Sequence, residues 1–102
     1  MSVRPPTIYS NRQEQTLNVL EYEFLAEKAA ALGRAGERVG ETLTRLNVHT
    51  GDAEQRRVLL KAAADAVYAY FIQRELCGYR RHDDAIREFA IPREVLARLG
   101  AA

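Results

Sequence analysis

Val58–Ile72 reads VLLKAAADAVYAYFI, and only Lys61 and Asp65 interrupt an otherwise apolar run. Those two stand four apart, so on a helix they share one thin polar strip and form an ion pair. A helix apolar nearly all round is expected to be buried nearly all round. This one helix therefore decides what the rest of the chain must supply. Its ends are legible. Asp52 and Gln55 have capping-box spacing, and Gly78 suits the position just past a helix end, so the helix is expected over about 53–77.

Upstream, NVHTGD (Asn47–Asp52) is a connection in which Gly51 allows a reversal. Before it, no proline occurs between Pro6 and Pro92, so a first helix can run over about 11–47, roughly 55 Å at 1.5 Å per residue. Ser10 with Gln13, or Asn11 with Glu14, has the spacing of a capping box at its start. Tyr22, Leu25, Ala29, Leu32, Gly36, Val39, Leu43 and Leu46 recur alternately three and four apart, a heptad seam. Gly33, Gly36 and Gly40 each cost up to about 1 kcal/mol relative to alanine in a helix, which points to a second backbone approaching closely, the alternative being a tolerated weakness or a local bend. Leu17, Leu20 and Phe24 lie off the seam, where one partner helix does not reach.

Two long helices joined by a short turn make an antiparallel hairpin. Neither the all-apolar second helix nor both faces of the first can be covered within one chain. The expectation is an all-α fold in which two hairpins pair into a four-helix-bundle-like oligomer, a homodimer in the first instance. The interface is expected at Leu25, Leu32, Gly36, Val39, Leu60, Val67, Tyr70 and Phe71. Tyr68, Tyr70 and Phe71, with Tyr79 beyond the helix, are read as core or dimer contact. The alternative is the lining of a small-molecule pocket.

The flanks are shorter. Residues 1–9 form an expected extended arm, stiffened by Pro5-Pro6. Residues 79–100 read as two short helices, about 84–90 and 92–99, with Asp83 or Asp84 capping the first and Pro92 opening the second. Asp83–Arg87 and Glu94–Arg98 have the spacing of ion pairs with the acid N-terminal. Residues 10–102 thus read as a single helical domain.

REFAIPREVLARLG (Arg87–Gly100) also has the helix–break–helix outline of a DNA-reading unit, with Arg93 and Arg98 as its DNA contacts. Charge argues against it. The chain has 15 basic and 14 acidic side chains, and the formal net charge is +1. No segment carries the surplus that phosphate binding wants. Glu94 would also face the polyanion. The segment is read as a cap on the bundle, with a helix-turn-helix-like DNA-binding regulator using residues 84–99 as the alternative.

With 102 residues, 47% of them hydrophobic, the chain is long enough for one small globular domain, whose stability gains from a second copy. Its one cysteine, Cys77, permits no internal disulfide, which fits a reducing compartment. MSVRPPTIYSNRQEQ lacks the apolar core of a signal peptide, and no apolar run approaches the ~20 residues of a membrane span, so a cytoplasmic protein is expected.

CGYRRHDD (Cys77–Asp84) holds the densest set of reactive side chains. Cys77 with His82 is the alternative site for a small enzyme or ligand binder. His82, Asp83 and Asp84 with His49 or Glu88 is the corresponding metal alternative. Against the first, a helix C-terminus disfavours a thiolate; against the second, adjacent residues rarely converge on one ion. The sequence has no glycine-rich phosphate loop, CxxC, HExxH or GxSxG. The expectation is a non-catalytic interaction or regulatory module without cofactor or metal.

QRELCGYR (Gln73–Arg80) followed by IPREVLARLG (Ile91–Gly100) resembles the C-terminal signature of a small family of uncharacterised bacterial helical proteins. LNVLEYE (Leu17–Glu23) and EKAAALGRAG (Glu27–Gly36) are similar to its first helix. The resemblance implies a bacterial cytoplasmic helical protein. It brings no activity and no catalytic residues to transfer.

Overall fold

The computed structural model describes residues 8–101, with side chains from Asn11 onward. It is all-α: α1 is Ile8–Asn47, α2 Ala53–Leu76, α3 Asp83–Phe89 and α4 Arg93–Leu96. The expected arm lies outside the described residues except for Ile8 and Tyr9, which are already helical. The helix therefore starts earlier than expected, and Asn11 is an interior residue rather than a cap.

Asp52 closes the α1–α2 turn. Its carboxylate accepts from the Gln55 backbone N–H at 2.8 Å, and the Gln55 side chain accepts from Asp52 N–H at 3.2 Å. α2 ends where Gly78, at φ +99°, turns the chain. Tyr79 N–H donates to Arg74 O and Gly78 N–H to Glu75 O, both at 3.0 Å, which together form a Schellman motif.

Val39, Leu43 and Leu46 of α1 meet Leu60, Ala63, Val67, Tyr70 and Phe71 of α2 in one core, and Ala85, Ile91 and Val95 complete it from the C-terminal pair. The small residues at Ala63, Ala64 and Ala66 keep α2 close to its neighbours. α3 and α4 fold back over the hairpin. Phe89 sits edge-on to Tyr70 at 5.5 Å and 80°. A Cβ at Gly36 would lie 3.4 Å from Tyr70 Cε1 and 3.8 Å from Phe89 Cζ. That glycine makes room for two rings, not for a backbone. A Cβ at Gly33 or Gly40 would meet nothing within 4 Å, so among the described residues neither has the close helix approach expected of it.

The C-terminal details also differ from expectation. Pro92 is the N-cap of α4 rather than its first residue, and α4 is a single turn instead of running to 99. Beyond Ala97 the bonds tighten to the i→i−3 type, Arg98 N–H to Val95 O and Leu99 N–H to Leu96 O. Neither Asp83 nor Asp84 caps α3; His82 is the N-cap, and both acids lie in the first turn. Asp83 pairs with Arg81 instead of Arg87. Glu94 reaches across to Arg56 on α2, leaving Arg98 to donate to the Glu94 backbone carbonyl at 3.1 Å. Lys61 and Asp65 do pair, at 3.2 Å.

The main correction concerns coverage. α1 spans about 60 Å and α2 about 36 Å, so the hairpin covers only the C-terminal part of α1. Lys28 marks the boundary: its ammonium donates to the last carbonyl of α2, Leu76 O, at 3.0 Å. Every residue from Asn11 to Glu27 is exposed, Tyr22 and Leu25 of the seam included. α2 itself is buried on one face and open on the other.

Candidate association surface

Two features stand out: a polar cluster that closes the hairpin and an apolar surface that none of the described residues covers. The cluster centres on Arg74. Leu60, Ala63, Val67, Tyr70 and Arg74 follow one another at three- and four-residue steps, so a guanidinium occupies the last core position of α2. It is only 6% exposed. Its Nη2 donates to Arg81 O at 3.1 Å and to Asp84 Oδ1 at 2.9 Å, and its Nε donates to His82 Nδ1 at 3.1 Å. Tyr79 lies 4.6 Å from the guanidinium carbon. Buried charge is tolerated only when paired and hydrogen-bonded, and here the loop 78–84 supplies the partners.

His82 is fixed on three sides. Its ring stacks on Phe71 at 4.2 Å and 6°. Nδ1 accepts from Arg74, so the proton sits on Nε2, which lies 3.0 Å from Glu75 Oε2. Cys77 Sγ instead faces Lys28 O at 3.9 Å. The structure thus gives Cys77 and His82 separate partners and no thiol–imidazole pair. His49 lies in the α1–α2 connection, at the opposite end of α2 from His82, Asp83 and Asp84. Among the described residues no group of three His, Cys, Asp or Glu side chains is placed to hold a metal ion.

Arg93 and Arg98 flank the one-turn α4, with Arg98 held by the Glu94 carbonyl. Glu94 is spent on Arg56, through Nη1 to Oε2 at 3.1 Å and a second bond between Nη2 and Oε1. This hydrogen-bonded guanidinium holds the Glu94 carboxyl below its ordinary value and raises that of Arg56. The pair pins α4 to the start of α2.

Of the eight residues expected at an interface, Val39, Leu60, Val67, Tyr70 and Phe71 are buried inside the chain, and Leu32 and Gly36 are half-buried beside them. Apolar spacing showed that these faces are covered, and the other helices of the same chain cover them. Leu25, 57% exposed, is the one left open. The open surface lies elsewhere. On α1 it comprises Leu17, Val19, Leu20, Tyr22, Phe24 and Leu25, each more than half exposed. On the outer face of α2, Val58, Ala62, Asp65, Ala69, Ile72 and Leu76 are all exposed. Their spacing is four, three, four, three, four, which makes a second heptad seam with one acid in it.

No helix among the described residues is long and apolar enough to cross a membrane. No curated protein and no solved structure matches the chain. A family model does match, over residues 2–102, and it agrees with the uncharacterised helical family that the sequence resembles: the chain belongs to DUF6665, a family of unknown function.

Proposed function

We propose that this chain is a non-catalytic, self-associating helical module whose working surfaces are helix faces. One observation carries the reading: the exposed half of α1, in which six large apolar side chains stand on a stretch of helix with no neighbour among the described residues. Single exposed apolar residues are ordinary, whereas six of this size within nine residues of one helix mark an interaction surface. The dimensions agree. A compact chain of this length has a radius of gyration of about 13 Å, and this one has 21.1 Å. The reactive side chains support a structural role as well, because Arg74, Glu75 and His82 hold one another in closing the hairpin.

A DNA-binding reading needs a helix long enough to lie in a groove, and α4 has four residues. Sedimentation equilibrium on the full chain tests the proposal. Concentration-dependent dimerisation in the micromolar range is expected. A monomer persisting at several hundred micromolar overturns it.

A further inference from the structure

Resting on that reading, we infer that the exposed half of α1 docks along the outer face of α2 of a second copy, reciprocally about a two-fold axis. Four observations select this occupant. The first is length. Asn11–Glu27 extends about 25 Å, and the outer seam of α2 from Val58 to Leu76 about 27 Å.

The second is charge. Between Asn11 and Glu27, Arg12 stands against Glu14, Glu21, Glu23 and Glu27, a net of −3. Residues 28–101, with His neutral, carry thirteen basic and ten acidic side chains, a net of +3. Two exposed α1 halves laid on each other repel. The net positive charge of the body draws each acidic half towards the other copy at long range, while the outer face of α2 itself carries Lys61 against Asp65 and Glu75.

The third is shape. Leu17, Leu20 and Phe24 are bulky and three and four apart, while the middle of the facing seam is small, at Ala62 and Ala69. Apart from Asp65 every position of that seam is apolar, so a bulky stripe has an apolar floor to lie on.

The fourth is area. The chain exposes 7596 Å², against about 5,800 Å² for a compact protein of its mass. The excess is about twice the roughly 800 Å² per partner of a standard interface.

The arrangement has a register. The two helices of a hairpin are antiparallel, and a perpendicular two-fold axis reverses α1, so the docked α1 segment runs parallel to the partner's α2. Lys28 and Leu76, 48 residues apart in sequence, mark the same level in the hairpin. With the axis at that level, each α1 position lies beside the partner position 48 further on. Phe24 then falls at Ile72, Leu20 at Tyr68 and next to Ala69, Leu17 at Asp65, and Glu14 at Ala62, one residue from Lys61.

Thiol cross-linking in full-length Cys77→Ala protein tests this. Leu20→Cys and Ala69→Cys are made separately, both at exposed positions, with circular dichroism to show that the helices are intact. A bifunctional maleimide of short span is added to each variant and to their mixture. Covalent dimer in the mixture, at least tenfold above either variant alone, is expected. Dimer with equal or stronger linkage in Leu20→Cys alone overturns the docking but leaves self-association standing, because it places the two α1 halves on each other. Dimer with no linkage in any sample also overturns the docking alone. Monomer throughout overturns both.

Discussion

Ala90 holds the turn between α3 and α4 at φ +51°, a left-handed conformation that alanine adopts at a cost of about 1–2 kcal/mol. It stays there because Ile91 N–H donates to Ile86 O at 3.0 Å and buries Ile91 in the core. Ala90→Gly relieves the strain and gives back part of the gain as unfolded-chain entropy. The expected net is a stabilisation of about 0.5–1 kcal/mol, read from urea unfolding. Arg74 gives the opposite sign. Arg74→Ala strips partners from His82 and Asp84 and empties a core position, so a loss of about 2 kcal/mol is expected, kept at that level because Asp84 can be solvated once released. Nitrogen NMR shifts of His82 provide a second check and should report the tautomer protonated at Nε2. Arg74 was open to sequence reading: it falls on the inward heptad of α2, just before the glycine that ends the helix. Its partners were not, because they depend on how the loop 78–84 folds back, and local spacing does not fix that. Nearest-neighbour rules likewise misassigned Glu94, whose side chain reaches a guanidinium on another helix.

At the scale of elements, both ends of α2 were legible because caps are local chemistry, Asp52 with Gln55 and Gly78, whereas α1 begins before the caps read for it. The short C-terminal helices were less so. The link at Ala90 is set by tertiary burial of Ile91, and α4 stops after one turn without a local signal. The identity of what covers each apolar face was not legible at all. Periodicity reports that a face is covered, and a neighbour from the same chain leaves the same pattern as one from a second copy. Two substitutions separate these cases. Val67 is fully buried between α1 and α2, so Val67→Glu puts an unpaired carboxylate in the core. It should cost about 4 kcal/mol or more and melt the hairpin, seen as lost helicity. Leu20→Glu, on the open half of α1, should leave helicity unchanged and weaken self-association at least tenfold. α4 is tied to α2 by Arg56 and Glu94. Because the Glu94 carboxyl is held low in the folded chain, the pair stabilises at pH values above the ordinary carboxylate range. That contribution is lost as pH falls through the lowered folded-state value. Glu94→Gln should flatten this part of the acid-unfolding curve.

For the whole molecule, the distribution of charge matters more than its sum. A net of +1 says nothing about partners, and the even mixing along the sequence reads as ordinary solvated helix. Only the fold shows where the division falls. α2 stops level with Lys28, which separates an acidic, apolar half-helix from a basic body. Sequence spacing alone does not place that boundary, since α1 runs through it without a break. The division makes the response to salt diagnostic. An association held only by apolar contact is unchanged or slightly tightened as salt rises, because salting-out favours burial. An acidic half-helix on a basic body is weakened, since the screening length falls from about 10 Å at 0.1 M to about 3 Å at 1 M. Exposed ion pairs are individually weak, so the effect is bounded. The dissociation constant measured by sedimentation should rise about fivefold over that range of sodium chloride. Glu21→Gln with Glu23→Gln should remove much of that rise while leaving the dimer in place. Association tightened severalfold at high salt, beyond the slight gain from salting-out, would instead mean that like-charged halves are being screened from each other, and would place the two α1 segments side by side.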